Sequence, residues 1–256
     1  VFTSGVAVTN WRPPARPPVG LPESAHGKVW MADVSHVHRL RKAQPHATTI
    51  TGLEWRRWPF LSLYDGARRL PRARGQGFSP VKTSKGGLSD RTRITVPKGA
   101  VPPLTQPGAA ELVTVPCHFW IANILPIQSI DSDREEITTI DMSTYPMTRN
   151  GMGDRNSAWV ENAIEVLDAP GEWAVDPTAE KVYYWPESGT PSQDIVVPLL
   201  TELLRIEGGI DYLNPLDVPV THLTFRGLAF RHGERLPWAG GTGWGLQHDW
   251  ECFDSP

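Results

Sequence analysis

Residues 171–189 read GEWAVDPTAEKVYYWPESG, two short aromatic runs separated by a proline-containing turn. A four-residue turn that sets Asp176 against Lys181 places Trp173 opposite Tyr184 and Val175 opposite Val182 on one face of a hairpin. Tyr183 and Trp185 then project from the other face, because successive side chains of a strand alternate. Aromatic pairs of this kind add about 0.5–1.5 kcal/mol beyond the area they bury, so the rings are expected to build core. Trp185, beside Pro186 on the second face, is the ring best placed to stack on a sugar instead.

Outward from this hairpin the chain reads as turn-rich and all-β. Its 25 prolines and 23 glycines in 256 residues exceed ordinary usage but fall short of a low-complexity chain. Strands are expected at KVWMADV (28–34), on either side of Asp65-Gly66, at RITV (93–96), and in a hairpin of LPIQSI (125–130) with ITTI (137–140). Asp65-Gly66 suggests a type I′ turn, setting Tyr64 opposite Ala67 and Leu61 opposite Leu70. The acidic stretch 131–136 begins like a calcium loop, but Glu136 and Met142 stand where an EF-hand needs glycine and glutamate, so it reads as a solvated turn. Helical spacing of Val160, Ala163, Ile164 and Leu167 predicts one short helix over 158–168, closed by Pro170-Gly171.

Composition excludes several classes. A net charge of −3 gives no basic surplus for nucleic acid or anionic membranes, and the Arg56-Arg57 and Arg68-Arg69 pairs stand alone. Cys117 and Cys252 cannot form a disulfide framework, and no Cys-x-x-Cys spacing suggests zinc. No apolar run approaches the roughly 18 residues that span a bilayer. Serine-hydrolase chemistry lacks a Gly-x-Ser-x-Gly elbow, and His26, His36 and His38 have no third metal ligand at a telling spacing.

Near the carboxyl end, LRIEG (204–208) and LTFRG (223–227) share the pattern Leu-x-(Ile/Phe)-x-Gly. A fixed offset suggests stacked solenoid coils, with Leu204 under Leu223, Ile206 under Phe225 and Gly208 under Gly227. A short helix through Leu199, Leu200, Leu203 and Leu204 is the competing local reading.

Taken together, FLSLYDGARRLPRAR, VENAIEVLDAPGEWAVDPTAEKVYYWP, VPLLTELLRIEG and VTHLTFRGLAFRHG resemble bacterial right-handed parallel β-helix proteins related to glycoside hydrolase family 141. FTSGVAVTNW resembles the strand after which those proteins leave the β-helix for an inserted domain. The resemblance implies a strand leaving the β-helix over 1–10, an inserted β-rich domain over 11–150, and over 151–256 a helix, a hairpin and the first coils. It also implies a secreted or cell-envelope protein whose leader lies outside this segment, acting on plant-type polysaccharide such as fucosylated pectin or xylan. The family's catalytic carboxylates are expected on coils beyond Pro256, and none is carried over to a residue here.

Glycoside hydrolysis needs two carboxyl groups, about 5–5.5 Å apart for retention or about 6.5–9.5 Å for inversion. The local cluster suited to contact substrate is His232, Glu234, Trp238, Trp244, His248 and Asp249, with Glu251 beside them and GGTGWG (240–245) as a loop. The rings would stack on sugar faces and the polar groups would bond hydroxyls. The expected partner is a polysaccharide or oligosaccharide; no cofactor, metal or nucleic acid is called for. The alternatives are a non-catalytic glycan-binding β-helix and a polysaccharide lyase.

Overall fold

The structure, a computed structural model, describes residues 1–42, 60–81, 89–115, 121–147, 157–209, 218–235 and 244–246. In chain order its first strands are β1 (Phe2–Thr3), β2 (Gly5–Ala7), β3 (Trp30–Asp33), β4 (Tyr64–Asp65) and β5 (Arg68–Arg69). Then come β6 (Arg93–Thr95), β7 (Glu111–Thr114), β8 (Ala122–Asp131), β9 (Glu136–Thr139) and β10 (Ala158–Glu161). The remainder are β11 (Trp173–Asp176), β12 (Lys181–Tyr184), β13 (Ile195–Pro198), β14 (Phe230–Arg231) and β15 (Trp244–Leu246). Among the described residues two short α-helices, α1 (Ser35–Lys42) and α2 (Ser89–Thr92), accompany them, and these residues are mostly β, as the composition indicates.

The hairpin of residues 171–189 has the expected register: Trp173 pairs with Tyr184, Val175 with Val182 and Asp176 with Lys181. The Asp176 carboxylate closes the turn by accepting the N–H groups of Thr178 and Ala179, each at 2.9 Å. Strand β3 adds to the far side of β12, with Tyr184 against Trp30 and Val182 against Ala32.

Both faces of this three-stranded sheet are covered. Trp173, Val175, Val182 and Tyr184 enter one core with Phe60, Leu63, Leu70, Ile195 and Val197. Ala174, Tyr183 and Trp185 enter a second core with Leu112, Leu125, Ile127 and Ile137. Trp173 stacks on Phe60 at 5.4 Å and its indole N–H donates to the Leu70 carbonyl. Trp185 is only 9% exposed, with the Lys28 ammonium 4.8 Å from its ring centre, so this ring too is core rather than an open platform.

The larger sheet runs β10-β7-β8-β9-β6, with β15 also on β8. Ten-residue β8 pairs with β7 in its first half and with β9 in its second, the register shifting between Ile127 and Ser129. A bulge of this kind re-aims a strand, and here it falls where β8 passes from β7 to β9. The acidic stretch is the β8–β9 turn, where Asp131 accepts the N–H groups of Asp133 and Arg134.

The helix expected over 158–168 is not formed. Ala158–Glu161 is strand β10, paired along its length with β7, and only Ile164–Val166 makes a 3₁₀ turn. Ala158 and Val160 are buried while Trp159 and Glu161 are half-buried, a period of two that the apolar spacing of the sequence concealed. Asn162, with φ +59°, ends the strand. Its side chain donates to the Ala109 carbonyl and accepts from the Val175 N–H, so tertiary bonds hold the bend. Conversely, α1 carries no periodic signal long enough to read. Its first turn is capped by Asp33, which accepts both the N–H and the hydroxyl of Ser35.

The hairpin at Asp65-Gly66 forms, but its register differs by a residue on each side. Asp65 pairs with Arg68 and Tyr64 with Arg69, so Gly66 and Ala67 are the turn residues, and the Leu70 N–H donates to Leu63. Positive φ occurs at Gly66 and not at Ala67, the type II′ pattern rather than type I′.

No stack of parallel coils is present among the described residues. Leu204, Ile206, Leu223 and Phe225 are 46%, 48%, 58% and 52% exposed, because neither segment has a neighbouring rung to cover it. Residues 199–204 are not helical either. Gly208 lies against residues 218–220, where an added Cβ would come within 2.3 Å of the Val218 carbonyl oxygen. The parallel pairing at this end joins β1 to β14, Phe2 beside Phe230 with their rings stacked at 5.4 Å.

Trp173→Ala is expected to lower stability by about 3–5 kcal/mol, since it empties the middle of one core and orphans the Leu70 carbonyl. Urea denaturation measures this; a loss below about 1 kcal/mol would contradict the role given to the hairpin.

Candidate functional site

Two of the six expected substrate-contacting residues, His232 and Glu234, stand together where the chain leaves β14 and lies across β4 and β13. His232, at φ +59°, contacts the Thr3 hydroxyl through Nδ1 at 2.7 Å and the Gly66 carbonyl through Nε2 at 2.6 Å. A carbonyl only accepts, so Nε2 carries the proton, and in the neutral ring Nδ1 accepts from Thr3. The Tyr64 ring packs edge-on at 5.2 Å and its hydroxyl donates to the Gly233 carbonyl.

Glu234 is buried. Its Oε2 accepts from Arg41 at 2.6 Å and from the Leu61 N–H at 2.9 Å, and its Oε1 accepts the Arg235 N–H. Arg235 reaches on to Glu111, whose Oε1 it meets at 2.6 Å, while Arg72 pairs with Glu111 Oε2. Glu161 lies 3.8 Å from the same Arg72 guanidinium. Burial works against a charged Glu111, but the Arg235 and Arg72 guanidiniums outweigh it and hold the carboxyl at about 2. Burial also pulls Arg41 below the usual guanidinium range, against the attraction of Glu234. A carboxylate held ionised in this way cannot donate a proton to a leaving group, so Glu111 is a structural anion and not a general acid.

Glu172 is the opposite case. Its burial, with the negative charge of Asp168, pushes the carboxyl up to about 7. The three backbone N–H groups that it accepts, from Arg74, Asp168 and Ala169, are all at 3.3 Å and do not offset that burial.

Trp244 starts β15, pairing with Ile124 on the larger sheet, which places it on a different element from the His232–Glu234 segment. Trp238, His248, Asp249 and Glu251 lie outside the described residues, as do the first four residues of GGTGWG. His26, His36 and His38 bond separately to the Leu21 carbonyl, the Ala7 carbonyl and Glu180. Among the described residues no group of three His, Cys, Asp or Glu side chains is arranged for a metal. The ion network was missed from the sequence because its partners are 39 to 193 residues apart. Glu111, a lone acid within the apolar run AAELVTV, was the available signal.

Glu111→Gln, which leaves Arg72 and Arg235 buried without their anion, is expected to cost about 3–5 kcal/mol in a denaturant titration, and a cost under about 1 kcal/mol would show the network to be slack. For Glu172, the folded chain keeps its proton between the ordinary value of 4.5 and about 7, where the unfolded chain has lost it. Stability therefore falls as pH rises through that window and is level on either side. Glu172→Gln is expected to remove this slope from a plot of Tm against pH; an unchanged slope would assign it to another group.

Residues 93–187 match the family model of the GH141 insertion domain, which spans β6 to the end of the β11–β12 hairpin. No curated protein matches the chain. A solved structure described as a glycoside hydrolase superposes with a TM-score of 0.60 at 20% identity, over 91% of this chain. This chain spans 36% of the length of that one, and at this identity the likeness is one of fold. The match over 93–187 relates the chain to GH141 proteins through their insertion domain.

Proposed function

We propose that this chain is part of a secreted or cell-envelope carbohydrate-active protein that hydrolyses glycosidic bonds in plant-type polysaccharide of the fucosylated pectin or xylan class. The observation that carries this reading is the GH141 insertion-domain match, with the glycoside hydrolase likeness in support. In this reading residues 1–10 leave a right-handed parallel β-helix, the inserted domain begins at residue 11 and takes in the matched residues 93–187, past the boundary at 150 expected from the sequence, and the residues after it return to the first coils.

The exposed apolar surface supports the β-helix. Among the described residues, Phe2 and Phe230, which stack on each other, and Leu204, Ile206, Leu223, Phe225 and Leu228 expose large apolar side chains. Large apolar side chains left this open are ones that a further coil would cover. The parallel β1–β14 pair with its stacked phenylalanines supports this reading, since successive coils of a β-helix pair in parallel. The two catalytic carboxyl groups are assigned to later coils, since the buried acids described here are tied up in ion pairs or backbone bonds. Trp238, Trp244, His248 and Asp249 remain the residues proposed to line the substrate path, with His232 and Glu234 fixing the start of that segment.

The full-length polypeptide carrying this chain, incubated with fucosylated pectin and with xylan, is expected to release reducing oligosaccharides without an ultraviolet-absorbing unsaturated product. Unsaturated ends would replace hydrolysis by lyase chemistry. Retention on the polysaccharide with no product would make the protein a binder.

A further inference from the structure

An open cleft of about 640 Å³ lies between residues 75–79, the 97–102 turn and residues 165–168. Its volume is that of an ordinary ligand site. Phe78 and Val166, both buried, give it an apolar floor, and Pro97, Ala100 and Pro102 line it with small apolar faces. Its polar side chains are two carboxylates, the Gln76 amide and the Ser79 hydroxyl. Asp168 and Gln76 are exposed on opposite walls, and buried Glu165 is fixed by Thr105, whose N–H and hydroxyl both donate to Oε1 at 2.7 Å.

Among the described residues that line it none is cationic, Lys98 of the 97–102 turn standing outside the lining. An acidic rim with no counter-charge repels uronates, sulfates and phosphates, whereas a hydroxyl-rich uncharged ligand supplies the O–H donors that carboxylates and an amide oxygen accept. The cleft is also held at a set width. Glu172 accepts from Arg74, next to one wall, and from Asp168 and Ala169 at the other. The 93–187 match covers two of the three walls, and the cleft is separate from the Arg41–Glu234–Arg235–Glu111 network.

We propose that this cleft binds a neutral oligosaccharide, with hydroxyls donating to Asp168 and Glu165 and ring faces resting on Pro97, Ala100 and Pro102. The choice of ligand class rests on the carbohydrate-active reading above; the site itself rests on the shape and charge of the cleft.

The test is calorimetric titration of the full chain with xylohexaose, cellohexaose and hexagalacturonate, beside a Gln76→Ala/Asp168→Ala variant. Both substituted residues are exposed, so the fold is expected to survive, which near-ultraviolet circular dichroism checks. Expected is binding of at least one neutral hexasaccharide, at least tenfold weaker binding of hexagalacturonate, and at least a tenfold loss of the neutral sugar in the double variant. Unchanged affinity in a folded variant, preference for the galacturonate, or no neutral binding would overturn the proposal. Polysaccharide cleavage is assayed separately, on the full-length polypeptide that carries this chain. Asp168-dependent binding without cleavage would remove the hydrolase reading and keep the cleft, and cleavage with no such binding would do the reverse.

Discussion

Strand β12 has no face turned to water. Tyr184 and Val182 point into one core and Tyr183 into the other, while β11 and β3 occupy both of its edges. A strand so placed satisfies its backbone groups in the ladder and offers every side chain to packing. The two cores therefore share a wall, and the alternation of large side chains along 173–185 is what allows one short hairpin to fill both. Much else takes its position from this wall. Segment 72–78 bridges to Trp173, to Glu161 and to Ala158 in turn, and carries the β11–β12 hairpin onto the larger sheet.

Charge is handled in the same place. Arg72, whose backbone bridges to Trp173, turns its guanidinium to Glu111 on β7, and Arg235 closes the group from the far end of the chain. Arg235 follows Glu234, which Arg41 of α1 holds. Four segments distant in sequence are thus fixed to one another by ions removed from water, where the attraction is strong and the loss of either partner is severe. The stretch that enters the proposed substrate path, after residue 235, departs from this fixed point.

The hairpin was legible because its information is local: an Asp-turn, a four-residue loop and period-two aromatics all agree on one register. The β8–β9 hairpin was legible for the same reason. The helix expected over 158–168 failed because Val160, Ala163, Ile164 and Leu167 meet the helical template, while pairing with β7 and the side-chain bonds of Asn162 decide otherwise. Spacing cannot report a partner strand this far away in sequence, Ala158 pairing with Thr114 and Glu161 with Glu111. At Asp65-Gly66 the turn dipeptide was right and the register off, since a single positive φ at Gly66 admits Ala67 into the turn. Repetition of Leu-x-(Ile/Phe)-x-Gly located the exposed apolar end, but a repeat names a surface that needs covering and not the contacts that cover it. For the candidate site, His232 and Glu234 were singled out as part of the polar and aromatic tail; that Glu234 is spent on Arg41 and Leu61 is a fact of three dimensions.

Native-state hydrogen exchange on the backbone amides of β12 measures the shared wall most directly. If it joins the two cores, the amides of Val182, Tyr183 and Tyr184 exchange only when the whole chain unfolds, with the highest protection of any strand and with the same dependence on denaturant as those of Leu125 and Val197. Exchange of the β12 amides well before those of β8 or β13 would mean that the cores open independently, and that the hairpin lines them without holding them together.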